Sequence, residues 1–471
     1  MPHIVIVGAG VGGLTAAIRL AQRDCRVTVV EARDQPGGLA ASFELEGFRF
    51  DAGPYILLDH LGLEWAFQQV GMAVEQLSLQ RIEEVYETNV AGTPLRISAS
   101  LDQTAERIDS RWPGSGRLYR QFIVQMQARH ARLQPLQCSA HPSVWKLARS
   151  GAWRDLPFLL RSLATVLRQS GLPPPVAAAL GIWTHIAGQS IEQAPAPLAL
   201  VPAVIHNVGA YYPRGGIGVI PEILFATARR LGVEFRFNTK VSRIRCEVRQ
   251  VSGVELPGNE FLPAQAVISN IGLGTYLQLL DDVGRAALPA HHQRKLTQLP
   301  LQSPGVCAYL AVRGNVDTPY LRFQVHNEPN GCRLLVTPSV LDPTLTRDGW
   351  SPARLIAPLN HAQAETGGEP GQRTFLDRVL AEEWWQTNFT DVRVLSTRIP
   401  QQWGSGFHLY QNSMNPVMTA EFMRAGRLAH RSPWIRGLYL TGSGTHPGQW
   451  VSFCAVSGVL TADRVLHDQK A

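Results

Sequence analysis

The stretch HIVIVGAGVGGLTAAIRLAQRDCRVTVVE, His3 to Glu31, decides the fold. His3 to Val7 is a short β-branched run stopped at once by glycine, and it reads as a buried parallel strand. Gly8, Gly10 and Gly13 then fall on a G-x-G-x-x-G spacing, with Gly12 inside it. Leu14 to Gln22 has helical character, and Val27 to Val30 is a second strand ending in Glu31. Together these make a βαβ unit of roughly 30 residues. Gly8 permits a tight turn, Gly10 lets backbone approach a pyrophosphate, and Gly13 allows close helix–strand packing. The helix N-terminus offers unpaired N–H groups and partial positive charge to phosphates. Glu31 stands where a carboxylate accepts from a ribose hydroxyl. Strand, glycines, helix, second strand and terminal acid together predict an adenine-dinucleotide site; the alternative is a glycine-rich turn that holds no ligand.

Working outward, Ala32 and Arg33 lead into a second glycine turn at Gly37, Gly38 and Leu39, and Asp51 to Pro54 form a third around Gly53 and Pro54. A nicotinamide dinucleotide needs only the first turn. An extended flavin lies over several such close approaches, so FAD is the expected cofactor.

The motif VVEARDQPGG followed by GFRFDAGP resembles the phytoene desaturase and carotenoid isomerase branch of the flavin amine oxidase superfamily. YYPRGGIGVIPEILFATARRLGVEFRFNTKVSRI (Tyr211 to Ile244), AQAVISNIG (Ala264 to Gly272) and GLYLTGSGTHPG (Gly437 to Gly448) resemble its later motifs, in order, over nearly the whole chain. The resemblance implies an α/β protein: a discontinuous Rossmann-like FAD domain and a substrate domain of antiparallel sheet plus helical insert. It implies an FAD-dependent oxidoreductase that desaturates or isomerises a long apolar polyene or isoprenoid, with hydride passing to or from flavin N5. It sets the backbone at Val241 along the adenine half, and Gly442, Gly444, Thr445, Gln449 and Val451 around the rest of the flavin. His446 reads either as a proton donor or as a brace for its turn. Two departures stand out: Leu39 occupies a position where the family typically carries Arg or Lys, and Gln449 to Phe453 replace a small-residue stretch. The expected division is FAD domain at 1–105, 206–285 and 431–471, basic helical insert at 106–205, and antiparallel substrate sheet at 286–430.

A chain of 471 residues exceeds one hydrophobic core, which agrees with two domains. Six scattered cysteines without a C-x-x-C pair suggest neither disulfides nor zinc, and fit a reducing compartment. The apolar start has no charged leader, and the longest uncharged run, Gly437 to Ala462, is interrupted by Pro447 and glycines. Neither reads as a signal peptide or a membrane span, so a cytoplasmic location is expected, with contact at the inner face of a membrane open. Glu234 to Ile244 alternates like one strand, and Val306 to Pro358 reads as antiparallel sheet.

Charge is uneven: Ser110 to Ile191 holds ten basic residues against Asp155 alone, +9 in a chain of net +7. Within it Leu156, Leu159, Leu160, Leu163, Val166 and Leu167 fall on one helical stripe, with Arg154, Arg161 and Arg168 on another face. Such a basic amphipathic helix lies in a membrane interface, or packs on its own domain with a solvated arginine face. Both readings stand, and membrane contact is assigned to residues 110–170. No nucleic-acid motif is present, and oligomeric state is not legible. There is no Ser/His/Asp order, carboxylate pair or metal spacing, as expected where a cofactor carries the chemistry. Two alternatives are an FAD-dependent oxidase of small amines and a non-catalytic prenyl-lipid escort of the Rab GDP-dissociation-inhibitor architecture.

Overall fold

β-Branched runs cut short by glycine pair in parallel when helices cover both faces of the sheet. The computed structural model describes all residues except 141–143, 188, 317–318, 327–330, 420–421, 424–425 and 471. His3–Val7 (β1) lies at the centre of a five-stranded parallel sheet. Its order is Leu438–Leu440, Ala266–Ser269, β1, Arg26–Val30 (β2), Glu234–Arg236. Val5 sits opposite both Val267 and Thr28. N-terminal, central and C-terminal stretches therefore close one doubly covered sheet, the α/β architecture expected.

Helix Val11–Ala21 (α1) follows β1 and is buried over most of its length. Helix Val451–Asp468 crosses it so closely that a Cβ on Gly458 would fall 2.5 Å from the Gly12 carbonyl. Arg19 and Asp463 pair across the same contact at 2.9 Å.

The second sheet has seven strands: Phe389–Arg398, Val306–Gly314, Ser351–Ala357, Cys332–Val336, Leu321–Val325, Glu84–Val90 and Thr93–Ser98. The antiparallel run read in Val306 to Pro358 forms its middle. Glu84–Val90 joins it in parallel with Leu321–Val325, so the first 105 residues feed both sheets.

Two expectations change. Glu234 to Ile244 is not one strand. Glu234–Arg236 extends the parallel sheet, Arg243–Glu247 enters a three-stranded antiparallel sheet, and residues 237–242 loop between them. The leucine stripe at 156–167 is not one helix either. Leu156–Leu159 ends, and a new helix Leu163–Gln169 starts where the Ser162 side chain accepts from the Thr165 N–H. A serine cap terminates and restarts a helix whatever the hydrophobic period says. The stripe is thereby divided: Leu163, Val166 and Leu167 are buried, while Leu156 and Leu160 are exposed.

Candidate cofactor and active site

The turn from β1 to α1 builds the first wall. Gly8 takes a φ of +97° and donates its N–H to the Val30 carbonyl at 2.8 Å. Any side chain on Gly13 would overlap the Gly8 carbonyl, so Gly13 serves packing. α1 begins at Gly10 with no side-chain cap, which leaves its first-turn amides and dipole end to the crevice. Glu31 ties two loops together: Oε2 accepts from the Ala9 N–H at 2.7 Å and Oε1 from the Arg33 N–H at 3.0 Å. Each oxygen keeps a lone pair for a further donor such as a ribose hydroxyl.

These elements open on one cavity of about 550 Å³. Of the residues read from sequence, Gly8, Gly10, Gly12, Glu31, Ala32, Arg33, Gly37, Gly38, Leu39, Gly53, Pro54, Val241, Gln449 and Val451 line it. Val241 arrives on the loop that interrupts the expected strand. That loop is held by bonds from the Asn238 N–H to the Arg33 carbonyl and the Thr239 N–H to the Glu31 carbonyl, both 2.9 Å.

Gly442, Gly444 and Thr445 stand behind the wall. The Ser457 hydroxyl meets the Gly442 N–H at 2.9 Å and Thr445 Oγ1 at 2.6 Å, fastening the loop to the C-terminal helix. His446 Nε2 meets the Leu136 carbonyl at 3.1 Å, bracing the loop against the helix Ser115–Gln137.

Sequence reasoning missed three contributors. Asn270 follows the parallel strand Ala266–Ser269, and its carboxamide lies between the first and last glycine motifs: a Cβ on Gly10 would come 2.5 Å from Nδ2, and one on Gly442 would overlap Oδ1. Trp403 reaches the cavity from the helix Pro400–Phe407. Arg354 enters from the seven-stranded sheet, 4% exposed, and donates Nη2 to the Gly53 carbonyl at 3.0 Å. A lone cation in the otherwise apolar run PARLIA was the legible signal.

Polar groups near the cavity are tuned by burial. Asp51 is fully enclosed, accepting from the Ser42 and Tyr212 hydroxyls at 2.8 Å each. Asp59 follows the cavity-lining Leu58, caps the helix His60–Gln69 and faces Ser452; burial pushes its carboxyl up to about 6.

The arrangement fits a flavin dinucleotide: a side-chain-free cradle, open helix amides, a carboxylate for the ribose, and a long cavity walled by both sheets. Among the described residues no group of three metal-ligating side chains occurs.

Comparison with known proteins agrees. The model of a family described as "Flavin containing amine oxidoreductase" matches residues 11–316. Over 98% of its length the chain is 26% identical to a zeta-carotene-forming phytoene desaturase of Myxococcus xanthus, covering 94% of that protein. It is 27% identical to a phytoene dehydrogenase of Streptomyces griseus, covering 98% of this chain and 95% of the relative. The fold matches cyclohexylamine oxidase from Brevibacterium oxydans with a TM-score of 0.60 at 18% identity, all of both chains being covered.

Proposed function

From the premise that the chain belongs to the flavin containing amine oxidoreductase family and is an FAD-dependent oxidoreductase, we propose that it desaturates or isomerises a long apolar polyene of the carotenoid type. FAD, held at the glycine turns, Glu31 and the α1 N-terminus, supplies the two-electron hydride acceptor or donor.

One observation carries the substrate class. Among the described residues Glu31 is the only carboxylate on the cavity wall, and both its oxygens already accept backbone N–H groups. Arg33, Lys240 and Arg354 also reach the wall, so an ammonium ion entering the cavity meets cations without a free counter-charge. The remaining surface is dominated by side chains such as Leu57, Trp183, Ile271, Ile356, Trp403 and Trp450. These walls orient an apolar chain and keep water from it, supplying position rather than acid–base groups. The names of the relatives, phytoene desaturase and phytoene dehydrogenase, support the same class. The amine-oxidase alternative has the fold in its favour but lacks a partner for the amine.

The basic insert gives such a substrate a route. Trp145, Trp153, Leu156 and Leu160 are 81, 56, 55 and 60% exposed, beside Arg149, Arg154 and Arg161. Large apolar groups at the surface next to arginines suit a lipid interface, rings and leucines at the acyl boundary and guanidinium groups on phosphates. No helix among the described residues is long and apolar enough to cross a membrane, so the contact proposed is peripheral.

The test is anaerobic reduction of the FAD-loaded protein by candidate substrates. Phytoene in liposomes should bleach the flavin and yield a product two hydrogens lighter, or an isomer without net bleaching, while cyclohexylamine and putrescine leave the spectrum unchanged. Bleaching by amines with inert polyenes would reverse the assignment.

A further inference from the structure

Arg354 is a buried cation whose hydrogen-bonding capacity is only partly used. Nη2 is spent on the backbone carbonyls of Gly53, at 3.0 Å, and Ala52, at 3.4 Å. Nε and Nη1 are buried with no hydrogen-bond partner among the described residues. The nearby carboxylate of Asp51 is no substitute, because its two oxygens accept from Ser42 and Tyr212. Leaving two guanidinium donors unpaired in an apolar setting is costly, more so than for neutral groups. Yet this side chain faces the largest opening near it, lining the cavity beside Leu39, Cys307 and Ile356.

The position of Arg354 within the cavity selects its partner. Glu31 fixes the ribose end and the α1 amides fix the pyrophosphate, both on the parallel-sheet side. The remainder of an extended dinucleotide runs from there toward the antiparallel sheet, whose strand Ser351–Ala357 carries Arg354. A planar fork clamped by two carbonyls presents its free donors in a fixed direction, the geometry that suits a planar, electron-rich edge.

We propose that Arg354 contacts the flavin ring system directly, placing Nε and Nη1 on the pyrimidine-ring acceptors and favouring the reduced, negatively charged flavin over the oxidised one. The assignment rests on the FAD reading above. A fixed positive charge aimed where negative charge develops is effective in a water-poor site, because no solvent has to reorganise.

Three readouts test it on the full chain: FAD affinity, the midpoint potential of bound flavin, and the thermal stability of the apo-protein. Arg354→Met fills the space without charge, and Arg354→Lys keeps the charge without the fork. The expected result for Arg354→Met is a folded apo-protein that still binds FAD, more weakly. Its potential should fall by at least the equivalent of a tenfold loss in preference for reduced flavin, about 30 mV for a two-electron couple. Arg354→Lys should recover part of that potential. If Arg354→Met does not fold, Arg354→Lys against wild type carries the test, and its potential must then fall measurably. An unchanged potential in a folded variant overturns the proposal, whether or not affinity drops, since a drop in affinity alone would place the arginine on the phosphates. Wild-type protein that binds no FAD at all would instead overturn the cofactor reading on which this one stands.

Discussion

Asn270 and Gly10 share one small space: Asn270 Nδ2 lies 2.5 Å from the point a Cβ on Gly10 would occupy. Residue 10 is thus denied a side chain by the protein itself, and the empty flank of the first turn stays open to a ligand. Gly10→Ala should cost about 1–3 kcal/mol of apo-protein stability through overpacking. Adding Asn270→Gly should relieve that overlap, so the double variant will be more stable than the two single costs summed. Urea unfolding of the four proteins measures it. Strict additivity would mean that the two residues do not compete. FAD titration of the relieved double variant then reports the ligand's own need for a bare backbone.

Glu31 joins the first two glycine turns through the Ala9 and Arg33 amides. Glu31→Ala leaves both buried donors without their acceptor and should destabilise the apo-protein by about 2–3 kcal/mol. Glu31→Gln keeps one oxygen and should fall between. Both variants should also raise the Kd for FAD, Ala by tenfold or more. A Glu31→Ala protein of wild-type stability and unchanged FAD affinity would contradict the role given to this carboxylate.

The parallel sheet and its cradle were legible because each part is local. Gly8, Gly10, Gly13 and Glu31 lie within a single βαβ unit, where spacing alone encodes geometry. The sheet around Val306 to Pro358 was legible for the same reason. What stayed hidden depends on distant partners. Asn270 sits in an ordinary strand end, and only folding brings it between Gly10 and Gly442. Arg354 becomes part of the cavity because the seven-stranded sheet turns that strand toward Gly53. Two errors came from trusting period over punctuation. The alternation from Glu234 to Ile244 hid a loop containing Asn238 at a φ of +52°, and the leucine stripe concealed the Ser162 cap.

Two buried aspartates should give opposite pH responses. Burial raises Asp59 from 3.8 to about 6, so between those values the folded protein binds more protons at this site than the unfolded chain, and stability falls as pH rises. Burial also opposes charge at Asp155, but the hydrogen bonds and charges of Arg132 and Arg129 win and hold its pKa below 3.8. Its contribution is present above that value and is lost as pH falls through the folded pKa.

Asp59→Asn keeps a capping acceptor while removing the buried charge. Its advantage over wild type should therefore grow from pH 4 to pH 6.5, reaching at most about 3 kcal/mol. Asp155→Asn should cost about 2–3 kcal/mol at pH 7 and progressively less toward pH 3. Denaturant unfolding across that range separates the two. Parallel curves for both variants would refute the assignment of opposite signs.

The exposed side chains of the basic insert make the membrane reading testable without reference to catalysis. A single helix with one leucine face would bury that face, and solvated arginines would be its only surface feature. The capped break at Ser162 instead leaves Leu156 and Leu160 outside, next to Trp153 and Trp145, while Leu163, Val166 and Leu167 hold the segment to the core. Replacing the four exposed residues by Ser should therefore leave unfolding within about 0.5 kcal/mol of wild type, as for surface positions free of special contacts. Cosedimentation with vesicles containing anionic lipid should drop at least tenfold, whereas vesicles of neutral lipid alone should bind wild type weakly, since each basic residue near an anionic surface adds about 1 kcal/mol. Salt should weaken the wild-type interaction and affect the residual binding of the variant less, because the apolar contribution is not screened. Equal sedimentation of wild type and variant on anionic vesicles would leave the arginine face as a solvated surface and remove the lipid interface as the substrate's point of entry.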